Sequence, residues 1–233
     1  MFLHNDVGFS FYLGDSKDNI GTSSPKEAYA TFLKLLDLEA LVLSKQTHGV
    51  NSRYIASIDE VALPLDLFQS EGDILVTKSK GVGVGVLTAD CLPIIIHDQL
   101  REAIAVVHAG WRGTFSLVAP SAIRLMQRIL ESRIGDLKVY FGPSANSCCY
   151  EVGEDFWEQL KEKSPFAKQV IVKKQKYFFD LPLMNKLQLL EVGLKEFQVD
   201  ECYNECTICK ENYCSYRRGK DMVARQVSIA FLR

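Results

Sequence analysis

Short apolar, β-branched runs alternate with polar turns along most of the chain, and this pattern predicts many strands. The predicted strands lie at 41–44, 73–77, 82–87, 93–97, 102–107, 138–141, 170–172, 177–179 and 227–232. The segment 59–69, which contains Pro64, is predicted to be irregular. Because the strands are grouped and do not alternate strictly with helices, the pattern favours an α+β fold over a doubly wound sheet.

Apolar residues at helical spacing predict helices between these strands. The first begins with a capping box at Ser24, has Pro25 at its first helical position, and carries Phe32 and Leu35 among its apolar residues. The other predicted helices lie at 119–133, 154–163 and 182–197. No repeat, low-complexity tract or linker divides the chain.

The chain has 233 residues, of which 47% are hydrophobic and 24% charged, as in an ordinary globular protein. A net charge of -2 and the lack of a long basic run give no electrostatic attraction to nucleic acid, so a small-molecule substrate is expected. There is no signal-peptide pattern, and no segment approaches the ~20 apolar residues of a transmembrane helix. We therefore expect a cytoplasmic protein with neither nucleic-acid nor membrane partners.

The runs at 93–97 and 102–107 are predicted to form an antiparallel hairpin around a polar turn at 98–101. If the turn is centred between Gln99 and Leu100, Cys91 lies directly opposite His108, with Cβ atoms roughly 4.5 to 5.5 Å apart. Such a spacing suits either a shared metal ion or a thiolate–imidazole pair. His48 follows another apolar run and is expected at a strand end.

Together, His48, Cys91 and His108 can form a three-ligand metal site with a vacant fourth position, which is typical of catalytic zinc. Each residue also has a structural interpretation, since single histidines are commonly hydrogen-bonded structural residues and free cysteines are commonly buried. The sequence spacing matches no compact metal motif and does not decide between these interpretations.

The seven cysteines, an odd number, fit free thiols or metal ligands better than a complete disulfide framework. Four of them lie near the end of the sequence: Cys202, Cys206, Cys209 and Cys214. They contain only one CxxC, whereas a zinc ribbon has two, so structural zinc is not favoured there. The adjacent Cys148 and Cys149 are interpreted as loop or core thiols.

Several motifs occur together along nearly the whole chain: QTHG, GDILVT, TADCLPI, VVHAGWRGT, GPSANSCCYEV and CTICKENYCSYRRG. In these motifs the chain resembles the bacterial YfiH/YlmD family, also called laccase-domain or polyphenol oxidoreductase proteins. The resemblance implies a single domain over 1–233, built as a β-sandwich of two mixed sheets flanked by helices and akin to a toxin deamidase. It also implies that His48, Cys91 and His108 bind zinc.

The resemblance further implies a purine nucleoside enzyme, with phosphorylase activity on adenosine, inosine, guanosine and methylthioadenosine and deaminase activity on adenosine. The expected ligands are a purine nucleoside and phosphate. Arg112 is the candidate for anion binding, because a guanidinium offers bidentate donors to phosphate. Asp90 is the candidate proton carrier, or the residue that orients a histidine ligand. Arg217, Arg218, Arg225 and Gln226 match the terminal motifs of the family, and fold closure is one role considered for them.

Three alternatives remain open from the sequence. A His₂Cys site could hold copper instead of zinc, although the four histidines of the chain are too few for an ordinary multicopper laccase. Cys91 could instead be the nucleophile of a metal-free amidase that edits peptidoglycan precursors, with His108 as its base. The third alternative is a zinc-bound partner protein without catalytic activity.

Overall fold

Two six-stranded sheets pack face to face in this computed structural model, which describes residues 1–6, 8–18, 20, 24, 26–220 and 224–233. The strands, in chain order, are β1 (Phe2–Asp6), β2 (Phe9–Leu13), β3 (Ala40–Lys45), β4 (Ser52–Ile55), β5 (Leu65–Glu71), β6 (Ile74–Thr77), β7 (Val82–Thr88), β8 (Leu92–Asp98), β9 (Ala103–Ala109), β10 (Leu137–Phe141), β11 (Glu151–Val152), β12 (Ile171–Lys173), β13 (Tyr177–Phe179), β14 (Val199–Asp200) and β15 (Gln226–Leu232). The helices are α1 (Lys26–Leu36), α2 (Trp111–Phe115), α3 (Val118–Leu130), α4 (Glu154–Lys163), α5 (Leu181–Glu191) and α6 (Tyr216–Gly219).

The first sheet has the strand order β1-β2-β15-β7-β3-β5, and the second has the order β14-β10-β8-β9-β6-β4. Both sheets are mixed. In the first, β3 is parallel to β5 and β7 whereas β15 is antiparallel to β2 and β7. In the second, β8 is antiparallel to β10 and β9 whereas the edge strands β14 and β4 are parallel to their neighbours. A small third sheet contains β11, β13 and β12. The predicted α+β fold, a sandwich of two mixed sheets flanked by helices, is therefore confirmed.

The core has three apolar layers. Between the two sheets, Phe11 and Val84 of one sheet pack with Ile95 and Val106 of the other. The outer face of the first sheet packs against α1, and the outer face of the second packs against α3 and α5. The central strands are consequently buried on both faces, which explains why they have continuous apolar sequences instead of alternating ones.

Some predicted boundaries differ from the observed ones. Helix α1 is present, but Leu35 is 59% exposed whereas Tyr29 is fully buried, and the predicted position of Pro25 lies outside the described residues. Helix α5 ends at Glu191 and does not reach residue 197. Gly193 stops the helix, because it has a positive φ of 108° and its N–H bonds to the carbonyl of Leu190.

A strand also occurs where the sequence predicts an irregular segment. β5 lies parallel to β3 at the edge of the first sheet, and it was missed because polar residues interrupt its apolar pattern. One of these, Asp66, is buried and bonded to Arg53 of β4, so a polar residue takes an interior position there. No helix within the described part of the chain is long and apolar enough to cross a membrane.

The predicted hairpin of β8 and β9 is present, but its predicted register is wrong. His108 lies opposite Pro93, not opposite Cys91. The turn is shifted because Asp98 pairs with Ala103 and its carboxylate accepts the N–H groups of the two residues at the centre of the loop, at 3.1 and 3.0 Å. Cys91 therefore lies just outside the hairpin, in the turn that precedes β8.

Candidate metal centre and its cavity

Three separate segments bring His48, Cys91 and His108 together. His48 lies in the turn after β3, Cys91 lies between β7 and β8, and His108 lies on β9. One ligand atom of each residue lies within 4.8 Å of the other two, and the two imidazole rings are 4.8 Å apart between centroids. His108 is buried, Cys91 is half-buried and His48 is exposed, so the group opens toward solvent on one side.

A buried carboxylate, Asp73, organises this group. Its Oδ1 accepts a hydrogen bond from the backbone N–H of His48 at 3.0 Å and lies 2.8 Å from Nδ1 of His108. Its Oδ2 accepts the N–H groups of Thr47 and Gly49, at 3.1 and 2.9 Å, and the Thr47 hydroxyl. With Nδ1 of His108 bonded to a carboxylate, Nε2 is the ring atom left for a metal.

Sequence analysis placed Asp73 in a strand and gave it no role. The signal that could have found it is general: a metal-binding histidine usually donates its second ring nitrogen to a carboxylate or carbonyl. The pairing of β6 with β9 then brings the residue before Ile74 beside His108. That pairing is a long-range contact, which local sequence patterns do not predict.

The charges of the three residues are coupled. Burial raises the pKa of Cys91. The charge and hydrogen bond of His108 lower this pKa by a larger amount, so the net change is downward. Burial lowers the pKa of His108, but the Cys91 thiolate and the Asp73 carboxylate raise it above the usual histidine value. Without a cation, the favoured state is thus a thiolate beside an imidazolium, and a bound cation would replace the imidazolium proton.

The surrounding backbone is closely fitted to these side chains. A Cβ added to Gly110 would lie 3.0 Å from both Cys91 Sγ and His48 Cδ2, so the absence of a side chain there lets the two ligands approach. His48 and Asp90 have positive φ values of 60° and 85°, a strained region that ordinary residues seldom adopt. Such strain concentrates at functional sites.

Asp90 is held by two other loops and by helix α6. Its Oδ1 accepts the Thr207 hydroxyl at 2.7 Å, its Oδ2 accepts the Arg217 N–H at 2.7 Å, and its backbone carbonyl accepts the N–H of Ala145 at 2.8 Å. The carboxylate that bonds His108 is Asp73, whereas Asp90 lies beside Cys91 in the wall of the cavity.

A cavity of about 520 Å³ lies over the group of His48, Cys91 and His108, within the range of small-molecule sites. Its walls carry cationic, aromatic and apolar side chains. They are Ser44, Lys45, Gln46, His48, Leu87, Ala89, Asp90, Cys91, His108, Trp111, Arg112, Tyr150, Leu181, Tyr216, Arg217 and Arg225.

The structure places Arg112 at this cavity, with its guanidinium 4.3 Å from the centroid of the Trp111 ring. Arg217 lies over the Tyr150 ring at 4.8 Å. Of the residues considered for fold closure, Arg217 and Arg225 line the cavity. Arg218 instead bonds carbonyl groups of the loop before α6, and Gln226 accepts the N–H of Cys214.

The donor set fits a thiophilic or borderline metal ion, because two imidazoles and a thiolate suit zinc or copper. The other two histidines of the chain are engaged between the sheets. His4 stacks on Phe11 at 4.7 Å, and His97 stacks on Phe9 at 4.1 Å. The cavity is therefore lined by two imidazoles, not by the larger number that a multicopper cluster uses.

Comparison with known proteins gives matches over most of the chain. A purine nucleoside phosphorylase of Aquifex aeolicus is 34% identical over 86% of this chain and 87% of its own length. Adenosine deaminase RL5, from an unknown prokaryotic organism, is 32% identical over 78% of this chain and 71% of its own length.

The fold also matches a solved structure, the hypothetical protein YfiH of Bacillus licheniformis. The TM-score is 0.86 with 21% identity, covering 97% of this chain and 93% of that one. A family model described as multi-copper polyphenol oxidoreductase laccase matches residues 4–233. The chain therefore belongs to this family, the YfiH/YlmD family that the sequence motifs indicated.

Proposed function

We propose that the protein is a zinc-dependent purine nucleoside enzyme. It would cleave adenosine, inosine, guanosine and methylthioadenosine with phosphate, and deaminate adenosine with water. The observation that carries the proposal is the group of His48, Cys91 and His108, oriented by Asp73 at a nucleoside-sized cavity. The names of the similar proteins, purine nucleoside phosphorylase and adenosine deaminase, support the same two reactions.

Zinc would be held by His48 Nδ1 or Nε2, Cys91 Sγ and His108 Nε2. When bound, it supplies Lewis-acid chemistry and lowers the pKa of a coordinated water toward ~7. Asp73 keeps the His108 ring in the orientation and tautomer that this donor set requires, through the 2.8 Å contact to Nδ1. Cys91 serves as a thiolate ligand, in keeping with its lowered pKa.

The walls of the cavity match the two parts of the substrate. Trp111 and Tyr150 offer aromatic surface against which a purine can pack. Arg112 offers a planar guanidinium to phosphate, and Arg217 and Arg225 add positive charge to the same wall. A phosphate held there is the nucleophile that phosphorolysis needs at the sugar C1′.

Asp90 is proposed as the proton carrier. Phosphorolysis requires a proton on the departing purine, and deamination requires one on the departing amine. The Asp90 carboxyl lines the cavity next to Cys91 and is held by Thr207 and Arg217, so its position is constrained.

A second candidate function rests on the Cys91–His108 pair. A lowered thiol pKa beside a raised imidazole pKa is also the condition for a cysteine nucleophile with a histidine base. In that case the Cys91 thiolate would attack the carbonyl of an amide, for example in a peptidoglycan precursor, and the amine would leave with a proton from His108. Water would then hydrolyse the thioester, and no metal would be needed.

The deciding experiment is a chromatographic product assay on purified, metal-quantified protein, with and without chelator. With adenosine and phosphate, we expect adenine and ribose 1-phosphate, and with adenosine alone we expect inosine. All three products should disappear after chelation and return with added zinc. The matched control is Cys202→Ser, which changes an exposed thiol outside the cavity and should leave both reactions unchanged.

The outcomes separate the candidates. If zinc-loaded protein forms no product from adenosine, the proposal of a zinc-dependent nucleoside enzyme is overturned. Amide hydrolysis that survives chelation and is lost in Cys91→Ser would establish the cysteine hydrolase. Oxidation of a phenolic substrate that requires added copper would favour the copper alternative.

A further inference from the structure

Four cysteine side chains converge between the two loops that contact Asp90. Cys148 and Cys149 come from the loop after β10, and Cys206 and Cys209 come from the loop after β14. Their sulfur atoms all lie within 4.8 Å of one another, and the Cys148 and Cys209 sulfurs are 3.9 Å apart. Sequence analysis had grouped the CxxC with Cys202 and Cys214, which are outside this cluster. The two thiols that it interpreted as loop or core residues are in it.

The spacing is that of a tetrahedral metal site. Ligand sulfurs at about 2.3 Å from a central zinc ion lie roughly 3.8 Å from one another. The cluster thus needs only small movements to reach this geometry. The four residues are also well placed by sequence, because the 206–209 turn is a CxxC and the neighbouring cysteines 148 and 149 face it from the second loop.

We propose that Cys148, Cys149, Cys206 and Cys209 form a second metal site, which holds a structural zinc ion. Four thiolates select zinc among the abundant divalent ions, and a site filled by four protein ligands has no open position for substrate. The four-cysteine site therefore differs in chemistry from the group of His48, Cys91 and His108. Zinc binding at the four cysteines does not depend on the proposed nucleoside activity.

The two loops that this ion would join also hold the wall of the cavity. Thr207, inside the CxxC, bonds the Asp90 carboxylate at 2.7 Å, and its N–H bonds the Ser144 carbonyl at 2.9 Å. Ala145 bonds the Asp90 carbonyl at 2.8 Å. An ion bound to the four cysteines would cross-link these two loops. Because both loops bond Asp90, the ion would help to hold that carboxylate in position.

Metal analysis of the intact protein, purified under reducing conditions, tests the proposal. We expect two zinc ions per chain in the unaltered protein, and one in Cys206→Ser/Cys209→Ser. Cys202→Ser is the matched control and should keep both. Because the double variant could fail to fold, a second variant, His48→Ala/Cys91→Ser, leaves the cluster intact and should keep one ion.

Cobalt substitution identifies the ligands. In His48→Ala/Cys91→Ser, bound cobalt should show the strong sulfur-to-cobalt absorption of a four-thiolate site. Absence of zinc from His48→Ala/Cys91→Ser, or an unchanged zinc content in folded Cys206→Ser/Cys209→Ser, would overturn the proposal. So would a cobalt spectrum without thiolate absorption, or disulfide bonds among the four cysteines in protein purified under reducing conditions.

Discussion

Single residues with several simultaneous contacts define this site, and Asp73 has the most. One fully buried carboxylate accepts three backbone N–H groups and a hydroxyl and contacts the His108 ring. The sequence motifs lead us to expect His48, Cys91 and His108 as the ligands, since each has side-chain chemistry that a metal requires. The sequence did not predict Asp73, because its partners lie about 25 and 35 residues away and only the folded sheet brings them together.

Asp73→Asn tests this central role. The amide has one acceptor oxygen and places an N–H₂ against backbone donors, so buried groups lose their partners. We expect a loss of about 3 kcal/mol or more in the free energy of unfolding, and a 10- to 100-fold loss of metal affinity. Denaturant unfolding and metal titration measure the two effects. Asp37→Asn, at an exposed position with positive φ, is the control; an equal loss in both variants would contradict the role.

Gly110→Ala tests the close packing of the ligands. Its φ of −77° and ψ of 169° suit alanine, so the fold should tolerate the change. The new Cβ would meet Cys91 Sγ and His48 Cδ2 at 3.0 Å and push them apart. We expect about 1–3 kcal/mol of destabilisation together with a reduced metal content. Gly135→Ala, where nothing lies within 4 Å, should change neither quantity; unaltered metal binding in Gly110→Ala would refute the packing argument.

At the scale of elements, the sequence predicted the central strands β7, β8 and β9, which are buried on both faces. It missed β1, β2, β4, β5, β11 and β14. Of these, β5 is at a sheet edge and carries the buried charge of Asp66. The predicted hairpin register was wrong because hydrogen bonds to the Asp98 carboxylate fix the position of the loop. The prediction placed the centre of the turn without these bonds. Patterns of hydrophobicity therefore predicted these central strands and the hairpin of β8 and β9, and side-chain hydrogen bonds decided the register of that hairpin.

An ion pair between Arg53 of β4 and Asp66 of β5 joins the two large sheets, with a distance of 2.7 Å. Burial raises the pKa of Asp66, but hydrogen bonds from Arg53 and Ala62 lower it below the usual value. A lowered folded-state pKa contributes stability above the unfolded carboxyl value of about 3.9, and this contribution is lost as pH falls through the folded value.

Asp66→Asn should therefore destabilise the protein by about 1–3 kcal/mol at pH 7, and the difference from the unaltered protein should shrink below about pH 4. Urea unfolding at several pH values measures it. The matched control on the same strand is Glu71→Gln, whose exposed pair with Lys45 at 3.5 Å should contribute no more than about 1 kcal/mol. A pH-independent loss in Asp66→Asn would contradict the assigned role of the charge.

Metal content is a property of the whole molecule, because the proposed ligands come from loops that only the assembled sheets bring together. The sandwich of two mixed sheets flanked by helices followed from the family resemblance, and its central strands followed from the apolar runs. The grouping of the cysteines did not, since residues 148 and 149 are more than fifty positions from the CxxC. Sequence spacing selects nearby cysteines, whereas the fold selects those on adjoining loops.

Removal of zinc should lower the thermal stability of the whole protein. A ligand at a hundred times its Kd adds about 2.7 kcal/mol to the folded state, which for a chain of this size corresponds to a Tm difference of about 5–10 °C. Differential scanning calorimetry before and after chelation measures the change. Added zinc should restore the Tm, whereas magnesium should not, because it prefers oxygen ligands; an unchanged Tm after complete metal removal would contradict this.

The shared carboxylate also constrains how the site can diverge among descendants of this chain. Because Asp73 bonds the backbone of His48 and the ring of His108, a replacement there disturbs two ligands in one mutational step. Replacing a ligand alone leaves the carboxylate and the other histidine in place. A change at Asp73 would thus impair the whole proposed metal centre in one step, whereas a change at Arg112, on the wall of the cavity, would leave the carboxylate and both histidines in place.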